Sequence, residues 1–263
     1  MVDETFNNLG YTYRLSPNKL RDIIDVDDPK YWGWILTATD HDVLTGTTER
    51  HLVPLDGASS LLVHAQVVEP LAELQTLAAS QGFDLRVCSG FRSFDRQMII
   101  WNEKVKGIRS TLDHDGRSLS LDALNAWQKI QAIMRWSALP GASRHHWGTD
   151  MDIYDAAAMP EGYQIQLTPD EVQGAGIFSP MHNWLDSALM EDNSALGFYR
   201  PYGKDRGGVA PERWHISYAP LADIYAQRLS SEVIAQQLRG TDLLLLDEVV
   251  ARLNEIVERF VRV

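Results

Sequence analysis

Two histidines and three aspartates crowd the segment Pro140-Gly-Ala-Ser-Arg-His-His-Trp-Gly-Thr-Asp-Met-Asp-Ile-Tyr-Asp155. Imidazole and carboxylate suit zinc, and a catalytic zinc takes three protein ligands and keeps a fourth position open. His145 lies on a turn-rich loop and Asp152 on the strand that follows, with Gly148 between them to turn the chain. A second segment, Pro211-Glu-Arg-Trp-His-Ile-Ser-Tyr218, adds His215 and, just before it, Glu212. A metal hydrolase needs a general base near the water, and that base should not be a ligand. On a regular strand Glu212 and His215 would face opposite sides, so Glu212 must sit in the turn entering the strand, where Pro211 fits. A third segment, Ser89-Gly-Phe-Arg-Ser-Phe-Asp-Arg-Gln97, places Arg92 between a strand end and a helix start. Arginine there can stabilise an oxyanion or bind a carboxylate through two hydrogen bonds; the plainer reading is a surface ion pair.

Taken in order, the three segments resemble the D-alanyl-D-alanine carboxypeptidase family of zinc peptidases, which includes VanY-type carboxypeptidases and VanX-type dipeptidases. They also resemble the wider lysostaphin and hedgehog-like fold group. The family patterns are S-G-Y/F-R-S-x-x-x-Q, S-x-H-x-x-G-x-A-x-D and E-x-W-H-x-x-Y. They are met at Ser89 to Gln97, at Ser143 to Asp152 with one departure, and at Glu212 to Tyr218. The similarity spans roughly residues 58–222. The resemblance implies a Zn2+ ion held by His145, Asp152 and His215, with Glu212 as catalytic base. Arg92 would stabilise the oxyanion or hold the scissile carbonyl. Gln97 and Ser143 would help bind the substrate at its terminal carboxylate. The implied reaction is hydrolysis of a peptide bond in a peptidoglycan stem peptide, its precursor or a recycled fragment, foremost removal of a C-terminal D-alanine. An LD-carboxypeptidase, a D-Ala-D-Ala dipeptidase, a murein endopeptidase and a non-catalytic zinc-binding interaction module are the alternatives.

The departure is Asp150, where the family has alanine. On a strand its side chain shares a face with Asp152. It could hold a ligand histidine as an acceptor, narrow or recharge the pocket, or be merely solvated. His146, beside a ligand, reads as pocket wall or surface. Trp147 either packs under the site or lines the cleft. His41, Asp42 and His51 could imitate a metal cluster and are read as structural. Cys88, the single cysteine, excludes an intrachain disulfide and reads as core.

The elements that must carry these residues are read from periodicity. Val63, Val67, Leu71, Leu74 and Ala78 predict a helix over 60–81 that Pro70 kinks or delays. Asp84 to Ser89 reads as a strand. Ser93 caps a helix with Met98, Ile99, Trp101 and Val105 on its apolar side. Gly107 to Gly116 reads as a polar loop, and Ser120 as the cap of a helix carrying Leu124, Trp127, Ile130 and Met134. Asp150 to Tyr154 and Trp214 to Tyr218 alternate as strands, with Met151 and Ile153 on one side and Trp214, Ile216 and Tyr218 sharing a face. Residues 156–180 are irregular and could wall or cover the cleft; Asn183 to Met190 reads as a short helix. Few short strands among helices argue for α+β, and the resemblance implies a small central antiparallel sheet carrying the zinc site, flanked by helices. The division expected is a lead-in over 1–57, a peptidase domain over 58–222 and a C-terminal helical extension over 223–263. Within the lead-in, Asp25 to Pro29 reads as a turn and Tyr31 to Leu36 as β-prone. In the extension, Leu246, Val250, Leu253, Val257 and Phe260 form a stripe that docks on the domain or could form a homodimer contact.

The chain has 263 residues and a net charge of −12. That charge repels phosphate backbones, and no basic patch offsets it, so nucleic acid is not an expected partner. No apolar run approaches a membrane span, and the N-terminus has no basic and apolar leader. The expectation is a cytoplasmic protein, or a periplasmic or secreted one if a leader was removed.

Overall fold

The computed structural model describes residues 41–55, 60–114, 116–190 and 196–262. Most of the lead-in, including the readings at 25–29 and 31–36, lies outside them. The described chain opens with a short helix α1 (His41–Thr45), a hairpin of β1 (Leu52–Pro54) and β2 (Leu62–His64), and helix α2 (Val68–Ser80). The helix expected over 60–81 therefore begins late. Val63 belongs to β2, which pairs antiparallel with β1. Pro70 falls in the first turn, where no intrahelical hydrogen bond is lost.

Strand β3 (Leu85–Ser89) leads into α3 (Phe94–Val105), whose N-cap Ser93 accepts from the Arg96 amide at 3.2 Å. Met98 and Trp101 are buried on α3, but Ile99 is 48% exposed. The loop that follows holds a small ladder of β4 (Thr111–Leu112) and β5 (Ser118–Leu119). Helix α4 (Ala126–Met134) starts later than expected. Asn125 caps it in a reciprocal box with Gln128, while Ser120 bonds Asp122 instead. A 3-10 turn over Arg144–Trp147 precedes β6 (Asp150–Asp155). Next come α5 (Pro169–Val172), α6 (Ser179–Met190), β7 (Phe198–Tyr199) and β8 (His215–Tyr218). The tail forms α7 (Ala219–Arg228), α8 (Ser231–Leu238), α9 (Leu246–Ala251) and α10 (Leu253–Ile256), followed by a π-turn over Val257–Val261.

The central sheet runs β3-β6-β8-β7, antiparallel throughout. Its alternation separates two chemistries. Met151, Ile153 and Ile216 point into a core shared with Leu71 and Leu74 of α2 and Met181 and Leu185 of α6. Asp150, Asp152, His215 and Ser217 occupy the other face, toward the 3-10 turn. There a second core joins Trp101 and Trp147 to Leu238, Leu253, Val257 and Phe260 of the tail. Most of the C-terminal stripe is thus spent within the chain; Val250 is 50% exposed. Trp214 stands just before β8 and packs with Val172 and Phe178 rather than on the Ile216 face. Among the described residues no helix is long and apolar enough to cross a membrane.

Candidate metal centre and active site

Antiparallel register makes Asp152 of β6 the direct cross-strand partner of His215 on β8. The third candidate arrives from the 3-10 turn, where Gly148 reverses the chain with φ 68°. Each of His145, Asp152 and His215 offers a donor atom within 4.8 Å of the others, and all three residues are buried.

The outer nitrogen of each imidazole is tied down. His145 Nδ1 lies 2.8 Å from the Gly90 carbonyl oxygen. His215 Nε2 lies 2.9 Å from Asp150 Oδ1. Both acceptors can only receive a proton, so both outer nitrogens carry one, leaving His145 Nε2 and His215 Nδ1 toward Asp152. Those nitrogens lie 3.5 Å from Asp152 Oδ2 and 3.2 Å from Oδ1. Asp152 Oδ1 is buried and accepts no well-formed hydrogen bond. With neutral rings, lone pairs would face a carboxylate across this space, an arrangement that a cation relieves. Burial opposes charge on His215, but Asp150 and Asp152 override it and lift its pKa to about 9. Burial also pushes His145 down to about 4. The donor set of two imidazoles and one carboxylate fits Zn2+ with a fourth position free.

Asp150 is fully buried and does not line the cleft, so it neither narrows the pocket nor meets solvent. Oδ1 receives Arg144 Nε at 2.7 Å as well as His215; Oδ2 receives Thr149 Oγ1 at 2.8 Å and Ser217 Oγ at 3.0 Å. Arg144 continues to Ser217 Oγ at 2.7 Å and Tyr199 Oη at 2.8 Å, with its guanidinium 4.8 Å from the Trp147 ring centre. Burial opposes charge on Asp150, yet Arg144 and His215 hold it well below the usual carboxylate range.

Glu212 sits in the turn entering β8, where the His215 amide donates to the Glu212 carbonyl at 3.1 Å. Its Oε2 lies 3.8 Å from His215 Nδ1, and burial lifts its pKa to about 7. Arg92 lines the same cleft, its amide held by the His145 carbonyl at 3.0 Å. Gln97, expected at the substrate, is instead wholly buried. It accepts from Arg92 Nη1 at 3.1 Å and donates to Ser137 Oγ at 3.2 Å and the Ala138 carbonyl at 2.7 Å. Both amide protons are spent, so its place in the site is to hold Arg92. Ser143 does line the cleft.

His146 is neither wall nor surface. It is fully buried, with Nδ1 2.6 Å from the Arg92 carbonyl oxygen and Nε2 accepting from the Gly141 amide at 3.1 Å. It fixes the Arg92 segment against the metal turn. Trp147 packs beneath the site and donates to the Leu44 carbonyl at 3.1 Å. The Cys88 thiol, half-buried, donates to the Asp152 carbonyl at 3.4 Å and is pushed up to about 12 by burial, so it stays protonated. His41 reaches the Val233 carbonyl at 3.3 Å, and His51 packs on His64, away from the centre. The cleft has a volume of about 330 Å³, and Gln166 and Leu167 of the irregular stretch form part of its wall. Motif spacing missed Tyr202, whose ring lies edge-on 5.0 Å from His215. It also missed Arg144, although that residue stands inside the motif.

The family model described as VanY, D-alanyl-D-alanine carboxypeptidase, matches residues 60–221, more than half of the chain. This chain belongs to the VanY D-alanyl-D-alanine carboxypeptidase family. An uncharacterized protein of Haemophilus influenzae is 46% identical over 100 residues, which are 37% of this chain and 68% of that protein. A D-alanyl-D-alanine carboxypeptidase of Enterococcus faecalis is 28% identical over 168 residues, 62% of this chain and 51% of that protein. The solved structure of VanYB in complex with D-alanine-D-alanine is 22% identical, covers 72% of this chain and 89% of that one, and superposes with a TM-score of 0.44. Asp150, the one departure from the motif pattern that the sequence resembles, is buried.

Proposed function

We propose that the protein is a zinc D-alanyl-D-alanine carboxypeptidase acting on short peptides of the peptidoglycan type, with the residues of this cleft in the following roles. The observation that carries the reading is Glu212, a carboxylate outside the metal set, 3.8 Å from the metal-facing nitrogen of His215. A non-catalytic zinc module has no need of a base there.

His145, Asp152 and His215 would hold the ion. Zinc supplies Lewis acidity and brings the pKa of water down toward about 7. Glu212, lifted to about 7, is matched to take the proton of the attacking water near neutrality and return it to the leaving amine. Arg92 donates to the oxygen that gains charge as the carbonyl is attacked, and Gln97 keeps its guanidinium in place. Ser143 offers a hydroxyl to the substrate from the cleft wall. Asp150 keeps His215 turned with Nδ1 inward.

The test is mass spectrometry of the zinc-loaded protein with a D-Ala-D-Ala pentapeptide, the tetrapeptide, free D-Ala-D-Ala and a cross-linked muropeptide. Loss of one alanine from the pentapeptide is expected. Glu212→Gln should lower that rate by about 10²–10⁴-fold with zinc still bound stoichiometrically. Cleavage confined to the tetrapeptide, the dipeptide or the cross-link would reassign the bond. No cleavage by zinc-loaded protein would favour the binding module.

A further inference from the structure

We propose that the π-turn of the tail, Val257–Val261, is a positioning element for Glu212, holding in place the loop that carries this base into the cleft. This rests on the peptidase reading and adds to it residues beyond 60–221, the part that matches the family model. Residues 202–212 form a loop whose two ends meet at the metal set. Tyr202 lays its ring against His215, and its carbonyl accepts the Glu212 amide at 3.0 Å.

Between those ends the loop has no helix or strand of its own and is held from two sides. One side is Arg135, the C-cap of α4. Its Nη1 donates to the Gly208 carbonyl at 3.0 Å and to Asp205 Oδ1 at 2.9 Å, and its own carbonyl accepts the Ala210 amide at 2.8 Å. The other side is the π-turn. Arg259 Nε donates to the Gly207 carbonyl at 2.7 Å. Gly208 is buried, and a Cβ there would collide with the Arg259 carbonyl oxygen, so main chain rests directly on main chain. Phe260 and Val261 continue from this contact into the cleft, which they line together with Val209, Tyr202 and Glu212. His145, Asp152 and His215 are set by the 3-10 turn and by sheet register, whereas Glu212 ends this loop. A shift of the loop therefore moves the base against a fixed metal set, and about 1 Å of misplacement can cost about 100-fold in rate.

The experiment reads the loop and the reaction separately, in the full-length zinc-loaded protein. Hydrogen exchange follows the amides of Ala210 and Glu212 beside those of β6 and β8, and pentapeptide hydrolysis gives kcat and KM. Gly208→Ala drives loop and π-turn apart and should speed exchange at both loop amides by about tenfold, with the sheet amides unchanged. It should lower kcat about 10–100-fold with KM within about twofold. Arg259→Ala, at an exposed side chain, should move exchange and kcat the same way by a smaller factor. Arg259→Lys, which can still donate to Gly207, should restore most of both. Gly240→Ala, which strains the tail at φ +77° without a collision, shows what lost stability does by itself, and should leave kcat unchanged. Lower stability of Gly208→Ala with neither faster loop exchange nor lower kcat would make the tail mere packing and overturns the proposal. So does a rise in KM at unchanged kcat, which would make the π-turn a wall of the cleft and not a support of the base. If Gly208→Ala does not fold, the Arg259 pair decides. Faster loop exchange in the variants together with no cleavage by the native protein would keep the support of the loop and discard the peptidase reading.

Discussion

Asp150 shows how one residue can be costly to place and costly to remove. Its four acceptor sites are filled by Arg144, His215, Thr149 and Ser217. Asp150→Ala returns the family residue, but it strands the Arg144 guanidinium, 3% exposed, without a counter-charge. Breaking such a pair from one side costs about 3–5 kcal/mol, whereas replacing both partners by apolar groups is often neutral. Asp150→Ala is therefore expected to lower the urea stability of the zinc-free protein by that amount. The double variant Asp150→Ala/Arg144→Met should recover most of it. Zinc affinity should fall in both variants by about 10–100-fold, because His215 loses its orienting acceptor in each. Chelator competition measures that second effect. Recovery of zinc affinity in the double variant would show that Asp150 serves the Arg144 charge rather than the metal ligand.

At the scale of elements, the β1–β2 hairpin and the metal turn fit together through Gly148. Its carbonyl accepts the His64 amide at 2.8 Å, and a Cβ there would stand 2.5 Å from Leu52 Cδ2 and 2.8 Å from the His64 nitrogen. Gly148→Ala should cost about 2 kcal/mol or more, from the left-handed backbone and the backbone collision together. Gly82→Ala is the control, since its φ is +86° but nothing lies within 4 Å; it should cost about 1 kcal/mol. Equal urea midpoints for the two would remove the hairpin from the argument. The same hairpin explains a misreading of the sequence. Val63 keeps helical spacing with Val67 and Leu71, yet it pairs with Val53, a partner whose position no local period reveals. The strands at 150–155 and 215–218 were legible because one face is aliphatic and the other carries carboxylate, imidazole and hydroxyl. Asn125 with Gln128 was a readable cap that Ser120 obscured. The set His145, Asp152 and His215 was legible only through three spaced motifs in the order of the family resemblance, since a histidine near an aspartate is common by itself. The network of Arg144, Tyr199 and Ser217 was not, because it depends on side chains 55 and 73 residues apart meeting behind the ligand.

For the molecule as a whole, buried neutral histidines set the acid limit. His51, His64 and His182 lie in the hairpin region and in α6, outside the metal set, and are 6%, 3% and 0% exposed. Burial lowers them from 6.5 to about 4, 3 and 3. Arg50, His51 and Arg200 add repulsion to the three in turn. Between these values and 6.5 the unfolded chain binds the protons and the folded chain does not, so stability rises with pH across that window and falls as pH drops. Each proton contributes about 1.4 kcal/mol per pH unit. His146, lowered to about 3, acts in the same direction. His215, raised to about 9, is protonated in both states below 6.5 and adds no slope there. Against a total stability of about 5–15 kcal/mol, the zinc-free protein should lose most of its urea resistance between pH 6.5 and 4.5. Asp152 adds little in that interval, titrating near 2 in the fold against 3.8 in the free chain. Glu212, lifted from 4.5 to about 7, keeps a proton in the fold that the unfolded chain has lost, and so offsets the slope of about one histidine. Urea midpoints across the interval should give an uptake of several protons on unfolding. His182→Gln should make the slope shallower by about one proton, since it removes a group that charges only on unfolding. A midpoint that stays flat from pH 6.5 to 5 would mean that these rings are hydrated in solution and not held in the core.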